Sequence, residues 1–408
     1  NMKISNCRLC SSRVFEELFT LGKLSFTGKF AKSKNFNIPK DFITLVMCKK
    51  CKLVQLDRNF NPKYLYSQDY GYRTGINKTM TNHVEYIVKS GSKIAKPIEG
   101  DSVLDIASND GTLLNFYNNN LIRIGIDPVV NKYKKYYKKI NYKISDFFSY
   151  KALKKNKINK KFKIITALSM FYDLKRPNLF VKDIKKILDI NGVFILEQAD
   201  LLSIVKKCLF DTICHEHLEY YSSKIIINLM KNNDLRVFDI KNNDINGGST
   251  CYFICNKNAK FKNNNKKINS IIKEEKKYKL ESKKTFVKLY SNINYIGKQL
   301  NNLINKINLK KQSIHGYGAS TKGNVLLQYF NISNKSIKFI AERNNQKFNS
   351  FTPGTKIKII SEKNSRRMFP EYYLVLPWHF KKEILMREKQ IRSKGTKFII
   401  PLPRLQVI

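Results

Sequence analysis

Short apolar runs that end in polar turns recur between residues 101 and 200. The runs at 103–106 and 122–126 are each followed by a polar turn, and further runs at 164–168 and 192–196 alternate with segments of helical periodicity. Buried parallel strands are nearly continuous apolar stretches, and their alternation with helices is typical of a doubly wound sheet. The pattern predicts an α/β domain of the Rossmann type, with an amphipathic helix directly after the first turn.

The pattern changes on either side of this domain. Residues 15–46, which lie between two pairs of cysteines, predict a hairpin or a pair of strands. Residues 256–312 are rich in Lys and Asn and place apolar residues at helical spacing, which predicts a long helical connector. Residues 314–400 return to short apolar runs and predict a second, smaller parallel sheet. Together these patterns predict three domains, at residues 1–70, 71–255 and 256–408.

The composition limits where the protein acts and what it binds. No run of about 18 apolar residues occurs, and the first residues lack the apolar stretch of a signal peptide, so we expect a soluble, cytoplasmic protein without a membrane partner. The net charge of +46 is compatible with a zinc-stabilised, basic nucleic-acid-binding protein. The 64 Lys and 13 Arg are spread over every region rather than gathered on one motif, which weighs against specific nucleic-acid recognition.

Two CxxC pairs near the start of the chain predict a metal site. The four cysteines are Cys7, Cys10, Cys48 and Cys51. Two such pairs offer four thiolates to one tetrahedral zinc ion without an open position, which is typical of a structural site. A redox or disulfide role is the alternative, and the expected reducing compartment weighs against it. The ion would then supply folding free energy to a module too small to be stable alone.

The turn after the first apolar run predicts a nucleotide site. Asp105 precedes the turn at 107–111, and the next run ends in Asp127 about twenty residues later. In a doubly wound sheet such an acid can hydrogen-bond both ribose hydroxyls, while the turn approaches the ligand through its backbone. The turn lacks GxGxxG, which disfavours a dinucleotide and favours S-adenosyl-methionine, a ligand without a pyrophosphate. Asp146 and Phe147 offer an acid and an aromatic edge for its adenine.

The segment at 210–222 holds the densest cluster of reactive side chains. It contains His215, Glu216 and His217, and thus two of the five histidines of the chain. Imidazole exchanges protons near neutral pH, which suits a general base. A metalloprotease motif is excluded, because its two histidines must lie one helical turn apart, whereas these lie two residues apart. The alternative is a hydrogen-bonded helix start at the surface.

Two other segments have the composition of ligand-binding surfaces. Four tyrosines between residues 64 and 72, among them Tyr70 and Tyr72, predict a pocket wall or, alternatively, packing against the next domain. At 314–324 a short strand leads through a glycine-containing turn into a helix, with Ser320 and Lys322 placed to hold an anion such as a diphosphate. A purely structural helix start is the alternative there.

Taken in order, these motifs resemble one family. CxxC…CxxC, VLDIASNDGTLL, HEHLEYYS, NGGS, GYGASTKGN and ERN…TPGT span nearly the whole chain and are similar to the sugar C-methyltransferases that include the tetronitrose and mycarose C3-methyltransferases. The resemblance implies a zinc module, a class I methyltransferase domain that binds S-adenosyl-methionine, and a smaller Rossmann-like domain that helps to hold a nucleoside-diphosphate sugar. It also implies methylation of a carbon next to a 4-keto group, by a monomer or weak homo-oligomer.

The resemblance also implies roles for individual residues. The catalytic set is His217 as the base, Glu216 and His215 as groups that orient it or the sugar, and Tyr72, Cys214 and Asp173. The cofactor-binding set is Asp105, Ala107, Asn109, Asp110, Gly111, Asp127, Asp146, Phe147 and Ser169. The substrate-binding set is Tyr70, Tyr221, Asn246, Gly318, Ser320, Lys322, Glu342, Arg343 and Pro353.

Two positions depart from the family pattern. Cys214 stands where the tetronitrose enzyme has a tyrosine, and Asp173 stands where it has a histidine. A thiol is a weaker donor than a phenol, and a carboxylate cannot replace an imidazole as an electrophile. The identity of the sugar and of the methylated carbon is therefore open, and an O- or N-methyltransferase is the alternative enzyme class.

Overall fold

The structure, a computed structural model, describes residues 3–61, 65 and 72–408. Tyr70 lies outside the described residues. The described strands form three sheets, and the first of them is antiparallel, in the order β1-β2-β3-β9. Its strands are β1 Phe15–Ser25, β2 Lys40–Cys48, β3 Val54–Leu56 and β9 Glu219–Tyr220. The predicted pair of strands within 15–46 is confirmed, because β1 pairs with β2.

The second sheet has seven strands in the order β10-β11-β8-β7-β4-β5-β6. The strands are β4 Ser102–Ile106, β5 Ile122–Ile126, β6 Tyr142–Ile144, β7 Phe162–Leu168, β8 Leu188–Ala199, β10 Leu235–Asn243 and β11 Ser249–Asn256. Strands β4 to β8 pair in parallel, whereas β11 runs antiparallel to β8. Side chains alternate between two buried clusters on the two faces, as Leu104 and Val103 do. The predicted doubly wound sheet is confirmed.

The third sheet has six strands in the order β14-β13-β12-β15-β16-β17. The strands are β12 Ile314–Tyr317, β13 Phe339–Glu342, β14 Lys358–Ser361, β15 Tyr372–Val375, β16 Lys397–Ile400 and β17 Gln406–Val407. All neighbouring pairs are parallel except β16 and β17. The predicted small parallel sheet is therefore confirmed, with one antiparallel strand at its edge.

Helices cover the second and third sheets and connect them. The helices whose bounds the structure describes are α1 Lys78–Ala95, α2 Val130–Tyr133, α3 Tyr150–Lys155, α4 Pro177–Ile187, α5 Leu201–Lys207, α6 Ser223–Lys231, α7 Asn265–Lys277, α8 Lys283–Leu309, α9 Thr321–Tyr329, α10 Glu362–Arg367, α11 Lys381–Arg387 and α12 Lys389–Ser393. The predicted connector is two helices, α7 and α8, separated by a turn in which Lys279 has φ 50°. Among the described residues, no helix combines the length and apolar character needed to cross a membrane.

The predicted amphipathic helix after the first turn is wrong. The chain forms only a 3₁₀ turn at Leu114–Phe116. The Asn115 side chain donates to the Tyr136 carbonyl at 2.9 Å. Residues 118–120 are all asparagine, a residue type that bonds to nearby backbone and favours turns over helix interiors.

Helix α8 joins the first and third sheets into one core. Its buried residues Phe286, Leu289 and Ile293 belong to a cluster that also contains side chains of both sheets. Tyr290 on the same helix stacks on Phe19 of β1 with ring centroids 5.1 Å apart. Strand β9 crosses the predicted boundary at residue 70, since in sequence it lies between β8 and β10 of the second sheet but pairs with β3 of the first. The domain boundaries themselves stay a prediction.

Candidate active site

A cleft of about 640 Å³ lies between the second and third sheets, and the loop after β1 borders it. It lies at the carboxyl ends of parallel strands from both sheets, where open α/β sheets bind their ligands. The predicted residues that line it are Tyr72, Asp105, Ala107, Asn109, Asp127, Asp146, Phe147, Ser169, Asp173, Glu216, His217, Asn246, Gly318, Ser320, Lys322, Glu342 and Arg343. The sequence therefore identified most of one continuous surface.

The turn after β4 forms one wall of the cleft. Ala107, Asn109 and Gly111 have φ of 58°, 49° and 75°, so the turn has a glycine-type conformation at two positions that are not glycine. Asp127, at the end of β5, accepts hydrogen bonds from the backbone N–H groups of Asn109 at 2.9 Å and Val129 at 2.8 Å. These two bonds hold the carboxylate beside the turn. Its remaining lone pairs can accept hydrogen bonds from ribose hydroxyls there.

Asp105 is the most deeply buried acid of this wall. Its Oδ1 accepts a hydrogen bond from the Thr166 hydroxyl at 2.6 Å. Burial raises the pKa of Asp105 to about 7. With Asp127 and Asp146, it gives the wall three carboxyl groups, and the Phe147 ring is 54% exposed beside them. Three acids and one exposed ring suit a ligand that carries two cationic groups and an adenine, so these residues fit S-adenosyl-methionine.

Two predicted cofactor residues, Asp110 and Gly111, lie behind this wall. Asp110 is fully buried and forms an ion pair with Arg73 at 3.0 Å. A Cβ on Gly111 would lie 2.9 Å from the Tyr137 ring, and the Tyr137 hydroxyl donates to the Asn109 carbonyl at 2.8 Å. In this structure the glycine therefore makes room for the ring that supports the turn.

His217 stands at the boundary between the two sheets. Its Nδ1 lies 2.6 Å from the Thr212 carbonyl oxygen. A carbonyl only accepts, so Nδ1 carries the proton, and Nε2 keeps a free lone pair. Burial, with a smaller contribution from the charge of Lys322, lowers the pKa of His217 to about 3. The imidazole is therefore neutral at physiological pH. The Tyr172 ring lies against it, with centroids 4.1 Å apart.

Glu216 reaches the cleft from the same segment. Its Oε2 accepts a hydrogen bond from the Thr27 hydroxyl at 3.2 Å. A Cβ on Gly28 would lie 2.8 Å from Oε1, so the glycine leaves room for the carboxylate. Burial raises the pKa of Glu216 above its ordinary value. The loop after β1 thus positions an acid beside the histidine.

The neighbouring side chains of this segment point away from the cleft. His215 is fully buried, and its ring packs edge-on against Phe26 at 4.7 Å and Phe60 at 4.9 Å. Cys214 is also fully buried, and burial raises the pKa of its thiol well above the ordinary value. Two predicted substrate residues, Tyr221 and Pro353, are buried outside the cleft as well. In this structure, these four side chains therefore do not line the cleft.

The opposite wall comes from the third sheet. Glu342, at the end of β13, accepts a hydrogen bond from the Ala319 N–H at 2.7 Å. Gly318 has φ 83°, and a Cβ there would lie 2.6 Å from Pro377. The Ser320 hydroxyl accepts from the Gly323 N–H at 3.0 Å and caps α9. Glu342 thus holds the turn after β12 in the same way as Asp127 holds the turn after β4.

Several lining residues were not predicted from the sequence. Examples are Gly28, Lys347, His379 and Arg387. His379 follows β15, and ligands bind beyond the carboxyl ends of parallel strands, so that rule could have indicated it. Arg387 lies on α11, where its guanidinium donates to the Tyr317 hydroxyl and to Glu362, each at 2.9 Å. No local motif marks Gly28, Lys347 or Arg387.

The four predicted metal ligands come together away from the cleft. The Sγ atoms of Cys7, Cys10, Cys48 and Cys51 all lie within 4.8 Å of one another. The Cys7–Cys51 and Cys10–Cys48 sulfur distances are 3.6 Å and 3.5 Å. Sulfurs at tetrahedral corners around zinc are roughly 3.8 Å apart, so the donor set fits that ion. The Gln55 amide also donates to the Cys7 sulfur at 3.1 Å.

Arg8 links this cysteine cluster to the segment that carries His217. It lies between Cys7 and Cys10, and its guanidinium donates to the carbonyls of Leu56 at 2.8 Å and Leu218 at 3.4 Å. Its Nε also lies 3.7 Å from the buried carboxylate of Glu219. Since Leu218 directly follows His217, the zinc module and the candidate base form one packed unit.

Three family models match consecutive parts of the chain. Residues 7–66 match a zinc binding domain, residues 80–240 a methyltransferase domain, and residues 244–403 the C-methyltransferase C-terminal domain. The chain is therefore an S-adenosyl-methionine-dependent methyltransferase with a zinc-binding module, and its residues 244–403 match the C-terminal domain found in C-methyltransferases. The predicted enzyme class, both cofactors and the family resemblance are confirmed.

The chain is similar over almost its full length to one curated protein. This is C-methyltransferase NovU of Streptomyces niveus, 24% identical over 409 residues, which cover 99% of this chain and 97% of that protein. A solved S-adenosylmethionine-dependent methyltransferase from Clostridium acetobutylicum ATCC 824 matches with a TM-score of 0.35 and 14% identity over 43% of this chain and 91% of its own. The plantazolicin methyltransferase BpumL matches with a TM-score of 0.34 and 14% identity over 43% and 83%.

Proposed function

We propose that this enzyme transfers a methyl group to the carbon next to the ketone of a nucleoside-diphosphate-linked 4-keto sugar. The observation that supports this most directly is the tautomer of His217. Its Nδ1 proton is held by the Thr212 carbonyl at 2.6 Å, which leaves the Nε2 lone pair available in a cleft between two ligand-binding walls. A carbon acid needs such a base, because its proton must leave before the carbon can be methylated.

The proposed reaction balances with the groups at hand. His217 Nε2 takes the proton from the carbon next to the ketone, and the electron pair of that C–H bond moves to the ketone oxygen as an enolate. The bound cofactor supplies an electrophilic methyl group on a sulfonium. The enolate carbon would take this methyl group in a new C–C bond as the ketone is restored, and the cofactor would leave as S-adenosyl-homocysteine with the electron pair of the broken bond on sulfur. His217 then releases its proton to solvent.

The basic residues of the third sheet support a sugar nucleotide as the acceptor. Arg343, Lys347 and Arg387 line the cleft on that side, opposite the acids of the cofactor wall. Guanidinium groups suit the two phosphates of a nucleoside diphosphate, since they form paired hydrogen bonds with oxyanions. Glu342, held by the Ala319 N–H at 2.7 Å, is placed as a ribose ligand would be.

The two departures from the family pattern have different consequences in this arrangement. Asp173 lines the cleft, so it can affect which sugar binds. Cys214 is fully buried, so its effect on a sugar would pass through the neighbouring Glu216. The first experiment therefore has to determine which sugar and which nucleotide bind and which carbon is methylated.

That experiment is mass spectrometry of the wild-type enzyme with S-adenosyl-methionine and a panel of nucleotide-linked 4-keto sugars in deuterated water. We expect a methyl-mass gain on one sugar. With S-adenosyl-homocysteine in place of the methyl donor, the same sugar should instead take up deuterium at the carbon next to its ketone, because methylation replaces the hydrogen that exchange reports. His217→Asn should lose both signals, since the amide can still donate to Thr212 but cannot act as the base, while cofactor binding by calorimetry stays unchanged. Methylation of an oxygen, or full turnover by His217→Asn, would contradict the proposal.

A further inference from the structure

Lys322 lies at the reacting end of the cleft rather than among the other cations. It is the second residue of α9, and its Nζ donates to the Asn246 carbonyl at 2.6 Å. The Asn246 amide in turn donates to the Ser169 hydroxyl of the cofactor wall at 3.3 Å. Lys322 is thereby tied to the side where the methyl group is delivered, although it comes from the opposite sheet.

The charged and titratable groups around Lys322 belong to the candidate reaction centre. Asp211 and Cys214 raise its pKa, although burial lowers that pKa overall. Its own charge lowers the pKa values of His217 and of His379. Asp211 accepts a hydrogen bond at Oδ2 from the Trp378 indole at 2.8 Å, whereas its Oδ1 is buried without a hydrogen-bond partner among the described residues. The ammonium thus faces two neutral imidazoles and one acid that already has a donor.

The ammonium group also has unused donor capacity. It carries three N–H bonds. Within the described part of the chain, the only hydrogen bond that it donates is the one to the Asn246 carbonyl. A carbonyl holds this cation on one side, and its remaining N–H bonds are free to donate near a neutral base. Such a group is suited to donate a hydrogen bond to an oxygen that becomes negative during the reaction.

We propose that Lys322 Nζ donates a hydrogen bond to the ketone oxygen of the acceptor and stabilises the negative charge that develops there as His217 removes the neighbouring proton. This inference rests on the proposed function, which names the acceptor but no group for its oxygen. Lys322 keeps its proton throughout, and the electron balance of the step is unchanged. The sequence instead indicated a diphosphate for this lysine.

The charge of Lys322 adds to the effect of burial on the basicity of His217 in the free enzyme. Lys322 and a protonated His217 would repel each other, and this repulsion contributes to the pKa of about 3. When the enolate forms beside Lys322, its negative charge offsets the ammonium, and protonated His217 is no longer opposed by an unpaired cation. Proton transfer and charge development therefore support each other in one step.

The test uses the rate of deuterium exchange at the carbon next to the ketone, measured at saturating sugar with S-adenosyl-homocysteine bound. Lys322→Gln and Lys322→Met should each lower this rate by about 100-fold, the usual effect of removing one oxyanion donor. Lys322→Arg, which keeps a charged donor, should recover part of it. Cofactor affinity and melting temperature report whether each variant is folded.

The pH profile separates a role in charge stabilisation from a structural one. Loss of the lysine charge should raise the pKa of His217, so the acid limb of the exchange rate should shift to higher pH in Lys322→Gln. Exchange at the wild-type rate in folded Lys322→Gln, or loss of exchange without any shift of the acid limb, would overturn the inference. Failure of the wild-type enzyme to exchange any keto sugar would instead refute the proposed function.

Discussion

The second and third sheets hold their ligand-binding turns in the same way. At the end of β5, Asp127 accepts from the Asn109 N–H at 2.9 Å, and at the end of β13, Glu342 accepts from the Ala319 N–H at 2.7 Å. In both, an acid on one strand fixes the turn that follows the neighbouring strand. The two sites face each other across one cleft. The chain therefore holds two turns by the same type of hydrogen bond, one on each wall of the cleft.

The two walls differ in charge. The second sheet contributes Asp105, Asp127 and Asp146, whereas the third sheet contributes Lys322, Arg343, Lys347 and Arg387 beside its own acids. A wall of acids favours a cationic ligand, and a wall with guanidinium and ammonium groups favours an anionic one. We infer from this difference that the turn geometry sets where a ligand would bind, while the surrounding side chains would determine which ligand that is.

The base belongs to neither wall. His217 comes from a segment that pairs with the first sheet through β9, and Arg8 anchors that segment to the cysteine cluster. We therefore expect that each wall can be damaged separately by substitution of its own acid. Damage to the first sheet should remove the base while sparing the turn of the second sheet, which belongs to other buried clusters.

The largest effect is expected from loss of zinc. Cys10→Ser should release the ion and unfold the first sheet, because a structural zinc site can contribute on the order of 10 kcal/mol to folding. His217 would lose its support, so methyl transfer should disappear while the second sheet still binds S-adenosyl-homocysteine. Metal analysis measures the zinc content, and calorimetry measures the binding of S-adenosyl-homocysteine. Cys255→Ser, at a buried cysteine of β11 outside the cluster, should retain zinc. A metal-free wild type of equal stability would contradict this expectation.

The next effect separates the two walls directly. Asp127→Ala should weaken cofactor binding by roughly 1–3 kcal/mol through lost ribose hydrogen bonds, without changing sugar-nucleotide affinity. Glu342→Ala should do the reverse. Calorimetry with S-adenosyl-homocysteine and with the nucleoside diphosphate gives both affinities for both variants. If either variant weakens both ligands equally, the two turns are not independent sites and the comparison fails.

The residues predicted to bind the cofactor mostly meet on one wall of the cleft, because they lie in short, continuous segments; their role in binding stays a prediction. Asp105, residues 107–111 and Asp127 follow apolar runs whose strand character is clear from local pattern alone, and all but Asp110 and Gly111 line the cleft. The length of the helix after the turn was not predictable in this way. It depends on contacts such as that of Asn115 with the Tyr136 carbonyl, which lies 21 residues further along the chain.

The acceptor side was harder to predict because it is assembled from distant segments. Residues 213–218 form irregular turns, so no periodicity indicates that His217 and Glu216 face the cleft while His215 and Cys214 face the core. Gly28 and Arg387 reach the cleft only through the packing of three sheets. Tertiary contacts of this kind leave no local signal in the sequence.

A smaller effect tests the acidic character of the cofactor wall. The pKa of Asp105 is raised to about 7, so its carboxylate forms as the pH rises through neutrality, and a cationic cofactor should bind more tightly above that pH. Between pH 6 and 8 the affinity should rise by at most about tenfold. Asp105→Asn should abolish the component that this group contributes. Binding enthalpies in buffers of different ionisation enthalpy measure the linked proton release, and an identical release by the variant would exclude Asp105 as its source.

The smallest effect concerns the backbone of the turn itself. Ala107 has φ 58°, where an alanine is strained by roughly 1 kcal/mol and a glycine is not. Ala107→Gly should therefore raise the melting temperature by about 1–2 °C, after allowance for the greater freedom of glycine in the unfolded chain. Ala167→Gly on β7, where φ is not positive, should lower it. The turn of the third sheet already has a glycine, Gly318, at its positive-φ position. A higher melting temperature of Ala107→Gly would therefore show that the two turns share a backbone conformation, although only one of them has the residue type that suits it. A lower melting temperature of Ala107→Gly would mean that the packing of the Ala107 Cβ stabilises the fold by more than its backbone strain destabilises it.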